Sequence, residues 1–182
     1  MSEADRVWRE RGLREAVLAG DERAWRIWYD ESFAALDAYV AWRCGGLRDL
    51  ADEALQETWL VAVRRVRDFQ PDRASFLAWL RGIASGVIRN RLRRRARDHR
   101  VVSLNGDMAS AHAHDTAERE RQERVAITLA RLPEHYEAVL RAKYLDGKSM
   151  AEIAAEWNDS PKAVESLLTR AREAFRQTYS EE

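Results

Sequence analysis

Eight arginines and one aspartate fall between residues 81 and 100, a local net charge of +7 in a chain whose 31 basic and 31 acidic side chains cancel. A guanidinium stays charged at any accessible pH and presents a fork of N–H donors, so the chemistry open to such a cluster is capture of phosphate oxygens. The arginines close an amphipathic stretch, FLAWLRGIASGVIRNRLRRR, from Phe76 to Arg95. At 100° per residue, Phe76, Trp79, Leu80, Ile83, Ala84 and Val87 share one arc, and Arg81, Gly82, Ser85, Gly86, Arg89 and Arg93 share the opposite one. One face packs and the other is free for a partner. Each glycine inside a helix costs roughly 1 kcal/mol relative to alanine, so Gly82 and Gly86 on the polar arc imply that a nucleic-acid backbone or another helix comes close there. The plainer alternative is a solvated helix end whose arginines complement the macrodipole.

A second cluster has the opposite sign. The segment LADEALQETWLVAVRRVRDF begins a helix near Asp49 and carries Leu55, Trp59, Ala62, Val66 and Phe69 as its expected apolar stripe. Asp49, Asp52, Glu53, Gln56 and Glu57 line its first two turns, where they either compensate the helix dipole or form a docking surface for a basic partner helix. Pro71 ends this helix, and the polar loop Gln70 to Ala74 leads to Ser75 as N-cap of the arginine-bearing helix.

Upstream of these clusters, residues 1–19 read as a short charged helix with a partial apolar stripe and no assigned function. Gly20 and Asp21 stop it and start another, in which Ala24, Trp25, Trp28, Tyr29, Phe33, Leu36, Tyr39 and Val40 form an aromatic core face ending near Gly45 and Gly46. Downstream, VSLNGDMASAHAHDT loses periodicity from Val102 to about Thr116 and reads as a flexible tether. Its His112 and His114 lack the further ligands a metal site needs.

Residues 117–131 return to a charged helix, and Leu132-Pro133 opens a compact unit. Tyr136, Val139, Leu140 and Tyr144 stripe one helix, which stops at Asp146-Gly147. Ser149 with Glu152 makes a capping box before Ile153, Ala154 and Trp157. Asn158-Asp159-Ser160-Pro161 then turns into a last helix with Val164, Leu167, Leu168, Ala171 and Phe175. This spacing is that of a helix-turn-helix, with Ala154 at the crossing and Asn158 in the turn, although Asp159 stands where an apolar residue is commoner. A plain three-helix bundle is the alternative. In the DNA-binding reading, Lys162, Glu165, Ser166, Thr169 and Arg170 line the helix that enters the major groove.

Composition bounds the rest. With 182 residues, 34% charged and 46% hydrophobic, the chain is an ordinary soluble protein of one or two small domains. Eight glycines, three prolines and no alternating β-branched segment predict an all-α fold. The start MSEADRVWRERG is no signal peptide, and no apolar run reaches membrane-spanning length, so a cytoplasmic protein without membrane insertion is expected. Cys44 is the sole cysteine and reads as core filler. There is no internal repeat, catalytic motif, metal cluster or phosphate loop, so neither an enzyme nor a cofactor is expected.

In this order, an acidic-faced helix, a basic helix backed by aromatics, a polar tether and a helix-turn-helix resemble an extracytoplasmic-function (ECF) sigma factor of bacterial RNA polymerase, in the sigma-70 family. The resemblance spans residues 20–179. GDERAWRIWYDESF is similar to region 2.1, DEALQETWLVAVRRV to region 2.2, and SFLAWLRGIASGVIRNRLRRR to regions 2.3 and 2.4. LPEHYEAVLRAKYLDGKSMAEIAA followed by KAVESLLTRAR is similar to region 4. It implies two small helical domains: an extension over 1–19, region 2 over 20–100, a linker over 101–124 and region 4 over 125–182.

The function implied is that of an initiation factor that binds core RNA polymerase, recognises minus-thirty-five and minus-ten elements and assists melting. Asp49, Asp52, Glu53, Gln56 and Glu57 would dock on the β′ clamp helices. Gln70, Asp72, Arg73, Ser75, Trp79, Arg81, Ser85, Gly86, Arg89, Asn90, Arg93 and Arg94 would hold a flipped base and the melted minus-ten strand. Ser160, Lys162, Glu165, Ser166, Thr169, Arg170 and Arg172 would read the minus-thirty-five duplex, with region 4 also touching the β flap. An anti-sigma factor is a further implied partner. Gly86 and Asn90 stand where the family often has Asn and Asp. Glu165 and Leu167 replace positions that are often basic, and Asp49 is one residue out of register with the family's first acid. A helix-turn-helix regulator acting without polymerase is the competing reading, and a helical interaction protein with no DNA role is a third.

Overall fold

The computed structural model describes the backbone of residues 2–104 and 113–181, and the side chains of 2–97 and 116–181. Segment 105–112 of the expected tether, and the side chains of His112 and His114, lie outside the described residues; the flanks of that segment are helical. The elements are α1 (Glu3–Leu18), α2 (Glu22–Arg43), α3 (Arg48–Arg65) with a 3-10 turn (Val66–Asp68), α4 (Phe76–Leu104), α5 (Ala113–Arg131), α6 (Glu134–Tyr144), α7 (Met150–Trp157) and α8 (Pro161–Ser180). No strand occurs among the described residues, so the fold is all-α as expected. Two compact units form, Met1–Ala41 with Arg48–Asp107, and Trp42–Leu47 with Met108–Glu182.

The first unit closes on aromatics. Trp28 of α2 stacks on Phe76 at the start of α4 (centroids 4.1 Å apart, 6° between planes), and Phe69 meets both rings edge-on at 5.6 and 5.4 Å. From there α4 buries Phe76, Leu80, Ala84, Val87, Ile88 and Leu92, extending the arc read from the sequence by one turn and more, while Trp79 and Ile83 of that arc are half-buried. The stripe expected from Leu55 to Phe69 holds at Ala62, Val66 and Phe69, which are buried, but fails at Leu55 and Trp59, and α3 itself ends at Arg65, with a 3-10 turn to Asp68, ahead of the stop expected at Pro71. The buried residues of α3 are Leu50, Ala51, Ala54, Thr58 and Ala62, whereas Leu55 and Trp59 are only half-buried. Small residues along that seam let the α3 and α4 backbones approach closely, and the larger side chains turn outward. Tyr29 and Phe33, expected in the core, are likewise exposed and half-buried.

The second unit is built on Leu129, Leu132, Val139, Leu140, Ile153, Ala154, Val164, Leu168 and Ala171. Cys44, which falls in this unit, is fully buried, as core filler should be. The turn chemistry is as the sequence predicts. Ser149 Oγ accepts from the Glu152 amide at 3.2 Å while Glu152 Oε2 accepts from the Ser149 amide at 2.8 Å, and those bonds hold the Glu152 carboxyl below its usual range. Asn158 takes the left-handed conformation at φ 53°, and Ser160 Oγ caps α8 by accepting from the Ala163 amide. Tyr144 departs from the expected stripe: it is 57% exposed, with the Arg172 guanidinium over its ring.

Candidate nucleic-acid interface

The acids of α3 divide between two faces. Arg91 of α4 pairs with both Glu53 and Glu57, the latter through Nε at 2.8 Å, and Arg95 Nη2 donates to Asp49 Oδ2 at 3.1 Å. These three carboxylates therefore tie α3 to α4. Asp52 and Gln56 point elsewhere, to the rim of an open groove lined by Tyr29, Phe33, Leu55, Trp59, Leu60 and Val63. Leu60 and Val63 are each more than half exposed there, a sizeable apolar surface with an acidic edge.

The loop between α3 and α4 projects its polar groups. Gln70, Asp72 and Arg73 are exposed around a buried Pro71, and the Arg73 amide closes the turn on the Gln70 carbonyl at 3.0 Å. Ser75 is the N-cap, its Oγ accepting from the Ala78 amide at 3.2 Å. Along α4, Arg89, Asn90, Arg93 and Arg94 are exposed, and Ser85 and Gly86 are half-buried beside them. A Cβ on Gly82 or Gly86 would meet nothing within 4 Å, so no packing inside the protein requires either glycine and the backbone there lies open to a visitor. Two expected contacts are partly occupied: Arg81 lies over the Tyr39 ring at 5.5 Å, and Trp79 packs half-buried against Phe69 and Phe76.

On α8, Lys162, Glu165, Ser166, Thr169 and Arg170 are exposed, opposite the buried Val164, Leu168 and Ala171. Thr169 donates its hydroxyl to the Glu165 carbonyl at 2.9 Å and Arg170 Nε reaches the Ser166 carbonyl at 3.4 Å, bonds along the helix itself that leave both side chains exposed. Arg172 differs, donating Nε to the Tyr144 hydroxyl at 2.8 Å. It belongs to the α6 side of the helix.

The chain matches the family description Sigma-70 region 2 over residues 31–98 and Sigma-70, region 4 over residues 122–175. RNA polymerase sigma factor CnrH of Cupriavidus metallidurans is 33% identical over 181 residues, covering 93% of this chain and 91% of the relative. The chain belongs to the ECF sigma factors of the sigma-70 family. The ECF sigma-E factor of Escherichia coli is 29% identical, with 90% of each chain covered. ECF sigma factor BldN of Streptomyces coelicolor is 27% identical over 87% of this chain, which spans 61% of its length. Among solved structures, CnrH in complex with the cytosolic domain of CnrY has a TM-score of 0.50 at 27% identity, covering 94% of this chain and 97% of that one.

As a member of this family, the sigma factor is a promoter-recognising transcription initiation factor that binds RNA polymerase, and its two matched regions contain the exposed charged faces of α4 and α8. Sequence reasoning placed the exposed arginines of α4 and the outer face of α8 on helix surfaces, where the structure has them. It missed Arg91 and Arg95, whose spacing of four residues on α4 matches the spacing of Asp49, Glu53 and Glu57 on α3. That complementarity was available as a signal, but only if the two helices were known to be neighbours. No helix among the described residues is long and apolar enough to cross a membrane.

Proposed function

We infer that this sigma factor divides its work between residues 20–100, which dock on core polymerase and hold the melted minus-ten strand, and residues 125–182, which read the minus-thirty-five duplex, with 101–124 as the linker and 1–19 as an extension. The observation that carries the reading is the exposed arginine row Arg89, Arg93 and Arg94, beside an open glycine backbone and the exposed loop 70–75. A single strand offers phosphates to such a row and an unstacked base to such a loop. Gln70, Asp72, Arg73, Ser75, Trp79, Arg81, Ser85, Gly86 and Asn90 complete the minus-ten set. Ser160, Lys162, Glu165, Ser166, Thr169, Arg170 and Arg172 form the minus-thirty-five set, with Arg172 held at its edge by Tyr144.

For polymerase, the polar contacts are Asp52 and Gln56 beside the apolar groove of α2 and α3, against the β′ clamp helices. Asp49, Glu53 and Glu57 contribute behind them while bound to Arg91 and Arg95. Region 4 meets the β flap. The protein works in the cytoplasm, catalyses no reaction and is held in check by an anti-sigma-type protein partner. CnrH, similar along nearly its whole length, has been solved with the cytosolic domain of CnrY.

The test is transcription in vitro from a genomic DNA library with purified bacterial core polymerase. Chain-dependent initiation at discrete promoters is expected, and folded protein that yields none sinks the reading. In co-purification with core, Asp52→Arg with Gln56→Arg should lower core affinity at least tenfold while helicity stays at the wild-type level, since like charges brought together across an interface cost several kcal/mol. Unchanged co-purification with core would reassign the groove.

A further inference from the structure

Helix α1 carries no motif, yet its polar side chains converge on the loop between α3 and α4. Arg14 Nη2 donates to the Arg67 carbonyl at 2.7 Å, Arg6 Nη1 to the Pro71 carbonyl at 3.2 Å, and Arg11 Nη2 to Asp72 Oδ1 at 2.7 Å. Glu10, only 8% exposed, accepts the Phe76 amide on Oε1 at 3.0 Å and Arg6 on Oε2 at 2.7 Å. That amide is the first of α4, so the helix that carries the arginine row is capped twice, by Ser75 from within the loop and by Glu10 from 66 residues away.

A carboxylate buried at this position is placed for a reason of geometry. The N-terminal end of α4 carries partial positive charge, which a carboxylate complements, and Arg6 donates both to that carboxylate and to the Pro71 carbonyl. The Arg6–Glu10 pair thus joins the beginning of the loop to the start of the helix. Arg11 acts farther out, where it neutralises Asp72 in a loop that must approach phosphates, and fixes an oxygen able to accept from the exocyclic amine of a base.

We propose that α1 is the brace of the minus-ten loop, with Glu10 a positioning residue that sets loop and α4 in the geometry a flipped base requires, and Arg11 the group that orients Asp72. This rests on the minus-ten role given above to residues 70–75. A merely structural contribution would lower initiation at every promoter in parallel. A positioning role changes discrimination, read as the ratio of open-complex formation on a promoter to that on the same promoter with single-base substitutions in its minus-ten element.

The experiment uses full-length chain, bacterial core polymerase and a promoter on which the wild-type chain initiates. Glu10→Ala should reduce opening on the preferred element about fivefold to tenfold, the loss expected of a helix cap, and flatten the ratio while core affinity is retained. Glu10→Gln keeps an acceptor for the Phe76 amide and should recover most of the ratio. If Glu10→Ala does not fold, Arg11→Ala, at an exposed pair, should flatten the ratio at a single minus-ten base with melting temperature unchanged. Amide exchange over residues 69–76 in the free protein reads the brace without polymerase and should accelerate in either variant. Wild-type ratios in both variants, or unaltered exchange, overturn the proposal. Failure of the wild-type chain to initiate anywhere would instead strike the promoter reading, leaving the exchange result to decide the brace.

Discussion

Three arginines of α4, Arg89, Arg93 and Arg94, make no ion pair among the described residues, while Arg91 and Arg95, interleaved with them, are paired with α3. The local charge is therefore two populations, one outward and one inward. Only the outward one can exchange counterions with DNA. Replacing Arg89, Arg93 and Arg94 by alanine should make promoter opening less steeply salt-dependent, by about 0.7 in the log–log slope for each single-strand phosphate left without its arginine. Replacing Arg91 should leave that slope as it is, and opening rates measured across a salt series separate the two. The glycines sharpen the same point, because Gly82 and Gly86 have open space where a side chain would be.

Among the elements, α3 and α4 position everything else in the first unit, and two kinds of interaction hold them. The ion pairs of Arg91 and Arg95 are partly exposed, with acid side chains between 38% and 53% accessible, so each is worth well under 1 kcal/mol. The aromatic stack of Trp28 on Phe76 is buried. Glu53→Gln with Glu57→Gln should accordingly cost about 0.5–1 kcal/mol of stability, whereas Trp28→Ala should cost about 4 kcal/mol through lost burial and a residual cavity. Urea unfolding followed by circular dichroism measures both. An inverted order would mean that charge rather than packing locks α4 in place. The stripe expected on α3 holds at Ala62 and fails at Leu55 and Trp59 for a related reason: periodicity finds the large side chains, and here a seam of Leu50, alanines and a threonine is the buried face, with Leu55 and Trp59 left to line the groove.

For the molecule as a whole, the two matched regions are expected to read two promoter elements independently. Lys162→Ala with Arg170→Ala should make initiation insensitive to the minus-thirty-five sequence while minus-ten discrimination keeps its wild-type ratio, since removing a side chain that holds a base edge costs about 1–3 kcal/mol. Templates mutated in one element at a time distinguish this from a general loss of DNA affinity. By itself the sequence determined the helical class, the breaks at Gly20 and Gly147, the capping box at Ser149 and the left-handed Asn158, because caps, turns and helix periodicity depend on residues within a few positions of each other. It also determined the outer faces of α4 and α8, since an exposed face needs only the absence of apolar side chains. Tertiary structure alone decided which acids of α3 are bound by Arg91 and Arg95, that Tyr29 and Phe33 sit on a groove, and that Glu10 caps a helix 66 residues downstream. Those outcomes depend on which helices become neighbours and in what register, which local spacing does not encode.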